Sequence, residues 1–174
     1  NELTLFIESN YKGNIVRNKK INKIGELDIY IPDKNLAIEF NGLYWHSNQF
    51  KDKNFHYNKW KYCYDNNIKL LTIWEDDWKY KRNIIESILL NNLNLIKNIV
   101  YARECTIKDV NFYDTKKFLD ENHLQGFCNS SINLGLFYND ELVSLMTFGK
   151  KRKILGQKSK ENEYSGKFKV HQRS

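Results

Sequence analysis

The 174-residue chain contains one proline, one methionine, eight glycines and three cysteines. Cys63, Cys105 and Cys128 are too few and too widely spaced for a disulfide framework or a Cys-x-x-Cys zinc pair. That usage points to a reducing, intracellular setting. No stretch approaches the roughly 18 apolar residues of a membrane helix, and no basic-then-apolar leader opens the sequence. The chain begins at Asn1 rather than Met, already in a helical pattern, which suggests a piece of a longer protein.

What is present is a core-forming composition, 41% hydrophobic and 14% aromatic, which excludes a disordered chain. The length suits one α/β domain with an appendage, or two small domains. Lys and Arg number 28 against 21 Asp and Glu, a formal charge of +7. Residues 150–174 hold nine of the basic residues and two of the acidic ones, so the first 149 balance at 19 of each. A tail opening Lys150-Lys151-Arg152-Lys153 suits contact with a phosphate backbone. The compatible alternative is a solvated, flexible terminus.

Residues 2–10 place Leu3, Phe6 and Ile7 on one helical stripe. A short strand at Ile15–Val16 and a basic polar loop lead to Gly25. Two strands follow, Glu26–Ile31 and Leu36–Phe40, joined by the turn Pro32-Asp33-Lys34-Asn35. In the first, Leu27, Ile29 and Ile31 alternate with Glu26, Asp28 and Tyr30. Asp52–Asn66 reads as a helix, with Phe55, Lys59 and Cys63 four apart. Leu70–Trp74 reads as a buried strand and Tyr80–Leu95 as a long helix. A mixed α/β layer fold is expected over 1–97. Beyond it, 98–149 reads as an accessory α+β segment. Its expected parts are a strand at Val100–Ala102, a helix at Thr115–Glu121 and a hairpin of Ile132–Tyr138 with Glu141–Phe148 around Asn139-Asp140.

The chemistry concentrates in the first part. Asp28 and Glu39 lie on consecutive strands joined by a tight turn, so their carboxylates can converge on one cation. A carboxylate inside the apolar run Leu36–Phe40 costs several kcal/mol if unpaired. The alternative to a cation is a buried ion pair with a lysine. Asn41-Gly42 then turns the chain towards Tyr44-Trp45-His46. The imidazole of His46 suits general acid or base work. The aromatics Tyr44 and Trp45 suit either the core or stacking on bases. His56 and Lys59, one turn apart, are expected on one helix face. Glu75-Asp76-Asp77 reads as the cap of a following helix rather than a metal site.

Glu26-Leu-Asp-Ile-Tyr-Ile-Pro32 followed by Ala37-Ile-Glu-Phe-Asn-Gly-Leu-Tyr-Trp-His-Ser47 resembles the core of the PD-(D/E)XK nucleases. More narrowly it is similar to the branch shared by the very-short-patch mismatch-repair endonuclease and phage homing endonucleases. Glu2 stands at the distance before Asp28 at which that branch carries an acidic helix residue. Trp45-His46 matches its Trp-His pair. His56, ahead of Trp74-Glu75, falls where the branch has a polar helix residue.

The resemblance covers roughly 1–95. It implies a mixed central sheet flanked by helices and Mg²⁺, replaceable by Mn²⁺, held by Asp28 and Glu39. It also implies duplex DNA as substrate, contacted by Asn41, Tyr44, Trp45 and the basic tail, and an intracellular, phage-type setting. A dimer would serve double-strand cleavage. The motif lysine falls at Asn41, so Lys59 or His46 stands in for it. The repair enzyme's zinc site has no counterpart, which favours the homing-type relatives. In the catalytic set implied by the resemblance, Glu2, Asp28, Glu39, His46, His56 and Lys59 act on a phosphodiester.

Overall fold

The computed structural model describes residues 2–21, 25–42, 55–150 and 170–172. The chain divides into two compact units, Asn1–Ile96 and Lys97–Ser174. Each is mixed α and β.

The first unit runs α1 (Glu2–Asn10), β1 (Val16–Ile21), β2 (Gly25–Ile31), β3 (Leu36–Asn41), α2 (Phe55–Asp65), β4 (Lys69–Trp74), α3 (Glu75–Tyr80) and α4 (Arg82–Asn92). Its sheet has the order β1-β2-β3-β4. The first two pairings are antiparallel and the third is parallel, with α2 as the crossover. The turn between β2 and β3 is a single 3-10 turn, Pro32–Lys34, closed by Asn35 at φ 45°. Asparagine tolerates that left-handed backbone better than most residues.

Alternation along β3 sorts the two faces. Ala37 joins Ile21, Leu27, Cys63 and Ile68 in one core cluster, so α2 covers that face. Ile38 and Phe40, with Ile29 of β2, line a cavity together with Leu3 and Thr4 of α1 on the other. Phe6 packs edge-on against Trp78, centroids 6.2 Å apart, which ties α3 to α1.

Several elements differ from the sequence expectation. The basic stretch after Val16 is not a loop but the edge strand β1. It has one neighbour, so its polar side chains face water while Ile21 alone is buried. The strand β4 is also an edge, and of its residues only Ile73 is buried. The helix expected over Tyr80–Leu95 is shorter, Arg82–Asn92, and is parted from the preceding α3 at Lys81, whose φ −129° and ψ 34° lie outside the helical region. The inner face is carried by Ile85 and Leu89, both buried, as is Leu93 just after α4.

In the second unit the antiparallel sheet β5-β6-β7-β8 comprises Thr106–Asp109, Ile132–Tyr138, Glu141–Phe148 and Val170–Gln172. The helix α5 (Phe112–Asn122) adds Phe118 and Leu119 to a core shared with Val110 and Leu145. Asn111 caps that helix by accepting the Asp114 N–H at 2.9 Å. The hairpin turn falls on Asn139 and Asp140, both left-handed at φ 49° and 61°. The strand expected at Val100–Ala102 lies instead at Thr106–Asp109, after a 3-10 turn at Ala102–Glu104. The last residues of the basic tail, Val170–Gln172, pair with β7. Among the described residues no helix is long and apolar enough to cross a membrane.

Leu27 is fully buried in the cluster that seats α2 on the sheet. Leu27→Ala is therefore expected to lower the free energy of unfolding by about 2–5 kcal/mol. A urea titration followed by far-UV circular dichroism checks this.

Candidate active site

The β2–β3 ladder pairs Ile31 with Leu36, Tyr30 with Ala37 and Ile29 with Ile38. The next pair in that register is Asp28 with Glu39, and there the backbone pairing ends. Each side chain takes up a backbone N–H of the other strand instead. Glu39 Oε1 accepts the Asp28 N–H at 3.3 Å, and Asp28 Oδ2 accepts the Phe40 N–H at 2.8 Å. On the other side of β2, Asn18 adopts φ 49°, and the β1–β2 register passes from Arg17–Ile29 to Lys19–Leu27 without an Asn18–Asp28 pair. Both ladders thus open around Asp28. The reciprocal carboxylate bonds, charge-assisted and so stronger than neutral ones, hold the gap.

Glu39 is 6% exposed and Lys59 6% exposed, and Lys59 Nζ donates to Glu39 Oε2 at 2.6 Å. Lys59 reaches this spot because Phe55, Lys59 and Cys63 form the inward stripe of α2. Its ammonium also lies 5.0 Å from the centre of the Phe55 ring. Burial, and then the Asp28 carboxylate, push Glu39 above the ordinary carboxylate range. The Lys59 hydrogen bond and the Asp28 N–H pull it back without cancelling the rise. Two carboxylates and one ammonium leave the cluster with a formal charge of −1. Cys63 sits beside it, and burial pushes its thiol pKa up, which keeps it protonated and unsuited as a nucleophile.

Asp28 also lines a cavity of about 270 Å³ with Thr4, Arg17, Asn18, Ile29 and Phe40 among its walls. The Arg17 guanidinium in that wall is paired with Glu8. The carboxylate is half-buried and within reach of solvent from this side.

The structure brings together Asp28, Glu39 and Lys59 from the residues singled out in the sequence. Glu39 has the lysine partner that was the alternative to a cation. Glu2 is held in a different set of contacts: Arg82 donates to its carboxylate at 2.8 Å and Trp78 Nε1 at 3.4 Å. Among the described residues no group of three or more His, Cys, Asp or Glu side chains lies together as a metal site, so Glu2 does not complete one with Asp28 and Glu39. His56 is exposed while Lys59 is buried, so the shared helix face expected for them does not form. His56 lies off the Phe55–Lys59–Cys63 stripe, by one residue on a helix of 3.6 residues per turn.

Asn41 ends β3, half-buried and paired with Trp74 of the parallel strand. Glu75, Asp76 and Asp77 form the first turn of α3 rather than its cap, which is Trp74. Their charges suit that helix end. Lys150 is exposed. Tyr44, Trp45, His46, Lys151, Arg152 and Lys153 lie outside the described residues.

Arg17 and Asn18, beside Asp28, were not singled out from the sequence; nor were Arg82 and Trp78, the partners of Glu2. The available signal for the first pair was an asparagine inside a run that can pair with the Asp28 strand. For the second there was none, because 76 and 80 residues separate the partners. Comparison with protein-family models, curated proteins and solved structures yields no match to this chain.

Removing the ammonium while keeping the volume, as in Lys59→Met, strands a buried carboxylate and is expected to cost about 3–5 kcal/mol at pH 8. Glu39 already has a raised folded-state pKa, so its contribution to stability is greatest below its unfolded value and is lost as pH rises through the folded one. Without Lys59 that pKa climbs further. The deficit of the variant therefore shrinks as the pH falls from 8 towards the ordinary Glu range. Urea unfolding at two pH values reads it, and an equal deficit at both would remove Glu39 as its source.

Proposed function

We propose that the chain is a divalent-metal-dependent endonuclease that hydrolyses phosphodiester bonds in duplex DNA, of the phage homing type, on a PD-(D/E)XK-like core. The observation that carries this reading is the Asp28–Glu39 pair crossing an opened ladder, with the Lys59 ammonium 2.6 Å from Glu39. It supplies what the sequence resemblance lacks at Asn41, a positive charge beside the second carboxylate.

The donor set suits a hard cation: two carboxylates on adjacent strands whose mutual repulsion contributes to the raised pKa of Glu39. Mg²⁺ is commonly held by one or two carboxylates, with water and substrate phosphate completing its shell, so two ligands suffice. Asp28 and Glu39 would hold Mg²⁺, or Mn²⁺ in its place, with the Phe40 carbonyl beside them. When bound, the ion supplies an acidified water and neutralises charge developing on the phosphate.

Lys59 has two tasks in this reading. It favours the ionised form of Glu39 and fixes the orientation of that carboxylate, and it sets a positive charge where phosphate oxygens gain negative charge. Asp28, on the cavity side, is the solvent-facing member of the pair. His46 keeps the general acid or base role implied by its place in the motif. Glu2 serves this core by tying α1 to Arg82 and Trp78, and the basic tail supplies phosphate contacts, so affinity should fall steeply with salt.

A second reading is favoured by the ion pair itself. Lys59 satisfies Glu39 without any cation, which also suits a core that binds DNA and does not cut it.

Asp28→Asn keeps an acceptor for the Phe40 N–H, whereas Glu39→Gln keeps one for the Asp28 N–H but leaves the buried Lys59 ammonium uncompensated, so circular dichroism accompanies both variants. Each is expected to lower Mg²⁺-dependent plasmid cleavage by at least about a hundredfold, the scale of losing one transition-state stabiliser. Supercoiled plasmid assayed with Mg²⁺, Mn²⁺ or EDTA decides between the readings. Cleavage untouched by either substitution removes the site assignment. Binding in EDTA with no cutting in either metal leaves the inactive module.

A further inference from the structure

The face of α2 opposite Lys59 and Cys63 carries Tyr57, Trp60 and Tyr64, at positions i, i+3 and i+7 of one stripe. All three are exposed, at 57%, 50% and 69%. They are also ordered against one another. Tyr57 and Trp60 lie 5.9 Å apart at 34°, and Trp60 and Tyr64 are stacked at 5.4 Å and 22°. Large aromatics on an outward helix face forfeit the burial that ordinarily stabilises them, and among the described residues these three are left exposed.

We infer that this ladder is a stacking platform for unpaired nucleobases, an inference that rests on nucleic acid being the substrate. Three properties of the stripe favour that occupant. Trp60 and Tyr64 already stack on one another, with Tyr57 tilted against Trp60, and a planar base can extend such a ring stack at its exposed ends without regard to sequence. Lys61 lies on the flank of the stripe with its ammonium held 3.0 Å from Asp65, so the flank is neutral and the rings rather than charge select the occupant. The size argues the same way. Three aromatic side chains of about 150–250 Å² each, half to two-thirds exposed, leave about 300–400 Å² to cover. A stable dimer needs about 800 Å² per partner.

The consequence is a preference for strands with unstacked bases. Such bases lie across α2 from the Asp28–Glu39 pair, about 10–12 Å away by the width of a helix.

The test uses the full chain in EDTA, so that no strand is cut. Fluorescence anisotropy compares a labelled oligothymidylate with an equal-length deoxyribose-phosphate strand that carries no bases. The wild type is expected to bind the thymidylate about tenfold more tightly, the scale of one stacked base. Trp60→Ala should abolish that preference and Trp60→Phe should keep it, with circular dichroism unchanged in both. Equal affinity of the wild type for the two strands overturns the inference, as does a preference that survives Trp60→Ala. A wild-type dimer in sedimentation that Trp60→Ala dissociates also overturns it, because the occupant is then a second copy. Plasmid cleavage with Mg²⁺ is read separately on the same wild-type protein. Loss of the cleavage reading with this preference intact thus leaves the stacking platform standing.

Discussion

Burying a lysine and a glutamate together is the constraint around which the first unit is arranged. Taking both charges out of water costs several kcal/mol per ion, and only close geometry with further hydrogen bonds offsets it. At 2.6 Å, with the second glutamate oxygen accepting the Asp28 N–H, that geometry is met. Everything that fixes it is local to the sheet and α2. The inward stripe of the helix sets where Nζ emerges, and the cluster of Leu27, Ala37, Cys63 and Ile68 sets the distance between helix and strand. A hydrophobic pair of equal volume would hold the layers as well or better. The buried pair is therefore weak evidence for stability, although removing one partner alone would be costly.

Much of the architecture was legible in the residues. The alternation of Leu27, Ile29 and Ile31 gave β2, Pro32–Asn35 gave the turn, and Asn139-Asp140 gave the hairpin of the second unit, because each depends on neighbours in the chain. What was misread depends on partners far away. Residues 17–21 look like a polar loop, since a strand with one neighbour need not alternate apolar residues. The apolar stripe of Ile84, Ile85, Ile88 and Leu89 placed α4, but not its start at Arg82, because the backbone of Lys81 that parts it from α3 leaves no mark in the periodicity.

The site was legible as to residues and less so as to arrangement. Asp28, Glu39 and Lys59 stood out, and they meet. The burial of Lys59 did not stand out, because lysine is rarely buried without a partner and helical spacing does not name one. Spacing put His56 beside it, yet a one-residue offset around the helix leaves His56 in solvent. For Glu2 the sequence supplied a place in a motif, whereas the partners that hold its carboxylate, Trp78 and Arg82, come from distant elements.

The mixed sheet treats the two carboxylates unequally. Beyond the last rung it shares with β2, the third strand stays laced to its parallel neighbour, with Glu39 beside Thr72, Phe40 beside Ile73 and Asn41 beside Trp74. At Asp28 itself backbone pairing lapses on both flanks, and the bonds to Phe40 N–H and Glu39 take its place. Glu39 is thus anchored through its own strand, and Asp28 through the side-chain bonds that cross to that strand.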